Sequence, residues 1–214
     1  VILKETPKER LIVFTRYPEE GLTKTRLIPI LGAKGAATLH RQMTEYTLSK
    51  VRELQNNYPL SIEVCFTGGN LSLMRHWLGS DIIYQPQGEG DLGSRMARSL
   101  SVAFQDNIAR VVIIGTDCPG LNAQLLKKAF HQLRSHNLVL GPAIDGGYYL
   151  IGLHYLRLEL FTGINWGTDE VFQSTVNIAN KLDLSIDYLP QLPDIDRPED
   201  LPIWEQICQE IEVI

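Results

Sequence analysis

At 214 residues, with 44% hydrophobic and 21% charged side chains, the chain suits a single domain able to bury a sizeable core. Its formal net charge of -5 excludes a general nucleic-acid binder, whose footprint is basic, while leaving room for a local basic pocket around a phosphate. The three cysteines, Cys65, Cys118 and Cys208, are odd in number and far apart, which argues against a zinc ribbon or disulfide scaffold and suits reduced thiols in a cytoplasm.

The opening VILKETPKER lacks the charged-then-apolar layout of a signal peptide, and the start without Met leads us to expect that a few native residues are missing or replaced. The run LIVFT, Leu11 to Thr15, reads as a buried strand. Ala36, His40, Met43, Thr47, Val51 and Leu54 then recur at helical spacing. SIEVCFT, Ser61 to Thr67, is a second strand and DIIYQ, Asp81 to Gln85, a third. Leu92, Met96, Leu100 and Phe104 form a helical stripe, and RVVIIG, Arg110 to Gly115, is the clearest buried strand. A helix marked by Leu125, Ala129, Phe130 and Leu133 follows. NLVLGP and YYLIGL read as two strands joined at Asp145-Gly146-Gly147. A helix from Glu170 to Leu182, a strand SIDYL and a last helix opened by Pro198, Glu199 and Asp200 complete the chain. No apolar run reaches the roughly 18 residues of a membrane span. Alternating strands and helices predict a mostly parallel sheet covered on both faces, with ligands bound beyond the carboxyl ends of its strands.

Four segments leave strand ends with chemistry in them. Thr15 to Leu27 places Arg16, Lys24 and Arg26 in one loop, where they can hold a di- or triphosphate or form a solvated basic loop. Glu19 and Glu20 in that loop must point away if phosphate binds. In IIGTDCPGL, Asp117 follows a buried strand directly. An ionised carboxylate there needs a partner such as Mg²⁺ or Mn²⁺, unless Asp117 or Thr116 caps the next helix. In GPAIDGGYYLIGL, Gly146 and Gly147 either form a turn or let a ligand approach the backbone closely. In LPDIDRPEDL, Asp194 and Asp196 either cap a helix or bring a second carboxylate back to Asp117. Gly88-Glu89-Gly90-Asp91-Leu92-Gly93 spells a dinucleotide fingerprint, but two acids lie among the glycines and it follows the third strand, so a dinucleotide is not expected there. Cys118 and the histidines read as packed residues; Trp166 reads as core or as a stacking wall for a base or sugar.

In this order the segments GLTKTRL, GEGDLGSRM, IIGTDCPGL, LGPAIDGGYYLIGL, FTGINWGTDEVF and DIDRPEDL resemble the bacterial glycosyltransferase-like family known as arsenosugar-biosynthesis glycosyltransferases, formerly a domain of unknown function. The resemblance runs from about Leu11 to Leu201. It implies the nucleotide-diphospho-sugar transferase (GT-A) fold, a three-layer α/β/α domain with a mostly parallel mixed sheet over residues 1–214. The wider relatives include molybdenum-cofactor and phospholactate guanylyltransferases. By this resemblance Asp117 and Asp196 match the two metal-binding carboxylates, and Lys24 and Arg26 match the basic residues of the phosphate loop. Asp145 matches the acid of a DGGY element. Gly146, Gly147 and Trp166 are candidate substrate contacts on the residue reading above. The chain departs from the nucleotidyltransferases in having FTRYPEEGLTKTR in place of their Gly-rich AGGxSxRMG loop, and Arg197 in place of Thr.

The expected activity is metal-dependent glycosyl transfer from a nucleotide-diphosphate sugar to a small-molecule acceptor, with Asp117, Asp145 and Asp196 as catalytic residues. Nucleotidyl transfer with release of pyrophosphate is the alternative, and a non-catalytic nucleotide-binding module the third reading. None of the three calls for nucleic acid or a membrane.

Overall fold

A computed structural model describes residues 8–212; residues 1–7, on which most of the signal-peptide reading falls, and residues 213–214 lie outside the described residues. The first strand, β1 (Glu9–Arg16), is buried on both faces, with Leu11 and Val13 turned into one core and Ile12 and Phe14 into another. This two-sided burial is why the run is continuously apolar rather than alternating. Helix α1 (Ile28–Asn57), β2 (Ser61–Thr67), α2 (Leu71–Leu78), β3 (Ile83–Pro86), α3 (Leu92–Gln105) and β4 (Arg110–Ile114) follow. Next come α4 (Ala123–Gln132), the hairpin of β5 (Leu138–Pro142) and β6 (Tyr148–Leu153), α5 (Val171–Lys181), β7 (Ile186–Tyr188) and α6 (Leu201–Glu212).

The strands form one sheet of order β3-β2-β1-β4-β6-β5-β7, in which only β6 runs against the others. One face carries Leu48, Val51, Met74, Leu126 and Phe130 from α1, α2 and α4. The other carries Met96, Leu100, Val176 and Ala179 from α3 and α5. A third cluster, Leu27, Met43, Ile195 and Trp204, seats α6 on the first half of α1. The result is the expected three-layer mixed sheet of the nucleotide-diphospho-sugar transferase fold.

All six residues of the predicted α1 stripe are buried. Nothing in the local pattern marks the break at Gly32, whose φ of 70° interrupts the helix just inside its start. β3 starts two residues later than its apolar pattern predicts. No helix among the described residues is long and apolar enough to cross a membrane.

Candidate active site

Because six strands share a direction, their carboxyl ends gather loops from distant parts of the chain at one edge, as the rule for such sheets requires. A cleft of about 850 Å³ opens there, reached by the ends of β1, β2 and β4, the β5–β6 loop, residues 166–169 and residues 194–200. A second hollow of about 820 Å³ lies between α1 and α2 and shares no lining residue with this cleft. It is walled by residues such as Glu45, Arg52, Trp77 and Asp81 that are already engaged with one another or with backbone, and it brings no reactive group together.

The first loop divides its cations. Arg16 and Arg26 line the cleft, whereas Lys24 does not. Lys24, 5% exposed and in a left-handed backbone conformation, sets its ammonium 2.7 Å from Asp117 and donates a hydrogen bond to the Ile195 carbonyl. Ile195 in turn donates its N–H to the Asp117 carbonyl at 2.9 Å. Lys24 thus ties the end of β4 to the 194–196 segment. Arg26 pairs with Asp196. Arg16 donates to the Leu22 carbonyl at 2.5 Å, while its Nε is buried without a partner. Glu19 turns away from the cations and accepts from the Gly69 N–H at 3.0 Å.

Asp117 does not cap the helix that follows it. Asn122 does, accepting from the Leu125 N–H at 3.0 Å. Asp194 and Asp196 are free of capping as well, because Asp200 reaches back to accept from the N–H groups of Asp196 at 3.0 Å and Arg197 at 2.7 Å. Capping is therefore excluded as the reason for these acids. Desolvation pushes the Asp117 carboxyl up, but the Lys24 charge and hydrogen bond, with His40 adding, outweigh it and hold the group below the usual carboxylate range. The side chain is still 53% exposed, because the protein around it forms a cleft rather than a cover. Burial pushes Asp194 up, and repulsion from Asp145, Asp200 and Asp117 adds to it. Among the described residues no three His, Cys, Asp or Glu side chains form a ready metal cluster.

On the opposite wall, Asp145 accepts from the Gly147 N–H at 2.9 Å and stands exposed in the cleft. Gly147 also lines the cleft, but Gly146 does not. Its φ of 88° and lack of a side chain serve another purpose: a Cβ there would collide with the backbone of Asp169. The close approach that this glycine allows is by the chain itself, which sets the Asp169 backbone against the turn that follows Asp145. Trp166 is packed and also reaches the cleft. Its ring edge packs on Gly93 at the start of α3 and meets Tyr148 edge-on at 6.4 Å, and it also lines the cleft.

The GxGxxG loop carries no ligand machinery of the dinucleotide kind. Asp91 caps α3 through the Ser94 N–H at 2.8 Å, and Arg98 donates to the carbonyls of Gln87 and Glu89. Burial pushes the Cys118 thiol well up, with Asp117, Asp194 and Asp145 adding and Lys24 opposing.

Sequence reasoning missed three cleft residues. Gln87 is buried and donates to the carbonyls of Thr15 at 3.1 Å and Cys65 at 3.0 Å, pinning the ends of β1 and β2 together. A polar residue just past a strand was its only signal. Asp169 had none beyond the GTDE run. His40 is packed as expected, yet it reaches the cleft, its Nε2 lying 3.1 Å from the Arg16 carbonyl and 3.2 Å from Thr15 Oγ1. The carbonyl contact makes Nε2 the protonated nitrogen.

A protein described as a nucleotide-diphospho-sugar transferase, from Desulfovibrio desulfuricans G20, has a crystal structure similar to this fold, with a TM-score of 0.83 at 33% identity over 89% of this chain and 83% of that one. The 4-diphosphocytidyl-2C-methyl-D-erythritol synthase of Anaerococcus prevotii DSM 20548 gives 0.62 at 12% identity over 95% and 98%. A CMP:2-keto-3-deoxy-manno-octonic acid synthetase in complex with CTP gives 0.56 at 11% over 94% and 99%. These last two share the fold alone. No curated protein matches the chain. Residues 50–168, more than half of the chain, match the family described as "Uncharacterized protein conserved in bacteria (DUF2064)", and the chain belongs to that family.

Proposed function

We propose that the chain is a cytoplasmic transferase acting on a nucleotide-activated donor, and that its reaction is metal-assisted glycosyl transfer from a nucleoside-diphosphate sugar to a small-molecule acceptor. The observation that carries this is the meeting of Asp117 and Asp196 with Lys24, Arg26 and Arg16 at the mouth of the central strands. The similarity to the transferase from Desulfovibrio desulfuricans G20 supports it.

The donor chemistry of the site fits a divalent cation. Asp117 and Asp196 offer hard oxygen ligands, capping does not consume either, and more carboxylates stand nearby than cations neutralise. Two protein carboxylates are a usual complement for Mg²⁺ or Mn²⁺, which keeps water and phosphate oxygens in its remaining positions. When bound, such an ion neutralises charge on the diphosphate leaving group. The protein's own groups do the rest. Arg16 and Arg26 hold phosphate oxygens by charge-assisted hydrogen bonds. Lys24 orients Asp117 and keeps it ionised. Gln87 fixes the strand ends that form the phosphate-side wall. Asp145 takes the acceptor's proton in this reading, which its exposure in the cleft supports.

A second reading, nucleotidyl transfer to a phosphorylated acceptor, is favoured by the shared fold with the two cytidylyl-handling proteins. The products differ: nucleoside diphosphate against pyrophosphate. Thermal unfolding with Mn²⁺ and a panel of nucleoside triphosphates, diphosphates and nucleotide sugars tests both. A ligand at 100 times its dissociation constant stabilises by about 2.7 kcal/mol, or roughly 5–10 °C for a chain of this size. A larger shift with one nucleotide sugar than with its triphosphate is expected. Preference for a triphosphate moves the assignment to nucleotidyl transfer, and no shift with any nucleotide sinks both.

A further inference from the structure

The charged residues of the cleft are distributed unevenly over the elements that line it. The half built from β1, the first loop and α1 presents Arg16, Arg26 and His40 and, among the described cleft-lining residues, no carboxylate. The half built from the β5–β6 loop and the loop before α5 presents Asp145 and Asp169 beside Trp166 and, among the same residues, no cation. Between them lies Asp117, and the 194–200 segment adds Arg197 against Asp194, Asp196 and Asp200. The two loops that carry these acids meet through their backbones. Gly146 lets the loop carrying Asp169 lie on the turn carrying Asp145, and the Phe172 N–H donates to the Gly146 carbonyl at 2.9 Å.

A phosphate group has an obvious place in the first half. In the second it meets two loops that carry carboxylates and no cation of their own, and like charges brought together in a partly enclosed site are strongly disfavoured. A hydroxylated ring, by contrast, finds carboxylate oxygens to accept its O–H groups and an aromatic surface against which its apolar side can rest. An ammonium finds attraction from both. We infer that this half of the cleft is the acceptor subsite, that it takes a hydroxyl-bearing molecule that is neutral or cationic, and that it rejects phosphorylated ones. The inference rests on the glycosyl-transfer reading for the word acceptor. It removes the phosphorylated acceptors that nucleotidyl transfer needs.

The test uses one matched pair of probes, glucosamine and glucosamine 6-phosphate, added to the whole chain without nucleotide or metal. Protein labelled with ¹⁵N in tryptophan reports through its indole N–H signals, and that of Trp166 is the one missing from a Trp166→Phe variant. Glucosamine is expected to move the Trp166 signal at a concentration at least about tenfold lower than its phosphate, since like-charge contact opposes the latter. In Asp145→Asn/Asp169→Asn that ratio shrinks toward one. The amide introduced by Asp145→Asn keeps an oxygen to accept from the Gly147 N–H, and the single Asp169→Asn variant, expected to show part of the effect, serves if the double variant does not fold. Equal or tighter binding of the phosphate overturns the inference, as does a Trp166 signal that neither sugar moves. Nucleotide binding is read separately by thermal unfolding. A failure there removes the donor reading and leaves the Trp166 result to be judged by itself.

Discussion

The same strands carry charge at both ends, and the two ends treat it in opposite ways. At the amino ends, Arg10 donates to Glu63 at 3.1 Å and to Asp106 at 2.9 Å, and Arg110 donates to Glu9 at 2.7 Å. Arg10 and Glu63 are 8% and 2% exposed. These partners sit on the sheet or at a helix end packed against it, and the Arg10–Glu63 pair at its centre is closed to solvent. At the carboxyl ends, Asp117 is 53% exposed, Arg26 is 63% exposed, and their partners come from loops far away in the chain. Buried, mutually satisfied charge holds strands in register. Charge that is half open and held by loops is available to a ligand. Residue type separates neither set, since both consist of basic side chains and acids; the separation comes from which end of a parallel strand each group occupies.

That contrast is broken most forcefully at its closed end. Arg10→Met leaves Glu63 buried without its cation, and losing one member of a buried pair costs about 3–5 kcal/mol. Chemical denaturation is expected to show that loss with nucleotide binding by the folded fraction unchanged. Burial already pushes the Glu63 carboxyl up, against the Cys65 hydrogen bond and the Arg10 charge that lower it. Without Arg10 it rises further, so the folded state binds more protons than the unfolded one and the deficit narrows as pH falls. A deficit that widens toward acid pH contradicts this account.

At the open end the damage is expected to fall chiefly on transfer. Asp117→Asn is expected to lower transfer by roughly 10²–10³-fold, the range for losing one strong electrostatic contact to a developing charge. Lys24, 5% exposed, loses its counter-charge as well, so some denaturant stability is expected to go with it, softened by the 53% exposure of the Asp117 side chain. Full activity in a folded Asp117→Asn protein removes Asp117 from the mechanism.

Much of the closed architecture was legible because burial on two faces writes itself as continuous apolar runs: β2 and β4 match their runs to within one residue, while β1 extends beyond LIVFT to the charged Glu9, Arg10 and Arg16. Asp117 was legible for a related reason: a carboxylate directly after such a run needs a partner. Lys24 was not. Its burial depends on Ile195, 171 positions away, and nothing local distinguishes it from Arg26. The capping role of Asp200 follows a spacing of three to four residues back to Arg197 and Asp196 that sequence reasoning can recognise, yet attention to the nearer acids hid it. Gly146 shows a different limit. Its sequence context says turn, and only the fold reveals that the space it leaves is filled by another loop.

Gly146→Ala follows as an intermediate effect. The added Cβ meets the Asp169 backbone and the residue must hold a φ of 88°, so a loss of about 1–3 kcal/mol is expected from strain of this kind. Because Asp169 must move, transfer should weaken through a raised KM for acceptor rather than for donor. An equal rise in both would place the glycine's role outside the acidic half.

The smallest expected effect lies at His40, the one titratable side chain of α1 that reaches the cleft among the described residues. Burial holds its pKa below the ordinary value of about 6.5, with Lys24 and Arg16 lowering it and Asp117 and the Arg16 carbonyl opposing. The unfolded chain therefore takes up a proton at a higher pH than the folded one. Stability tied to His40 is complete above the ordinary histidine value and falls as pH drops from there toward the lowered folded value. Comparing wild type with His40→Gln across that window isolates the contribution, and the wild-type curve is expected to fall more steeply. Parallel curves would mean that Asp117 supplies enough opposing charge to cancel the effect of burial, and that the imidazole is free to carry a proton in the site.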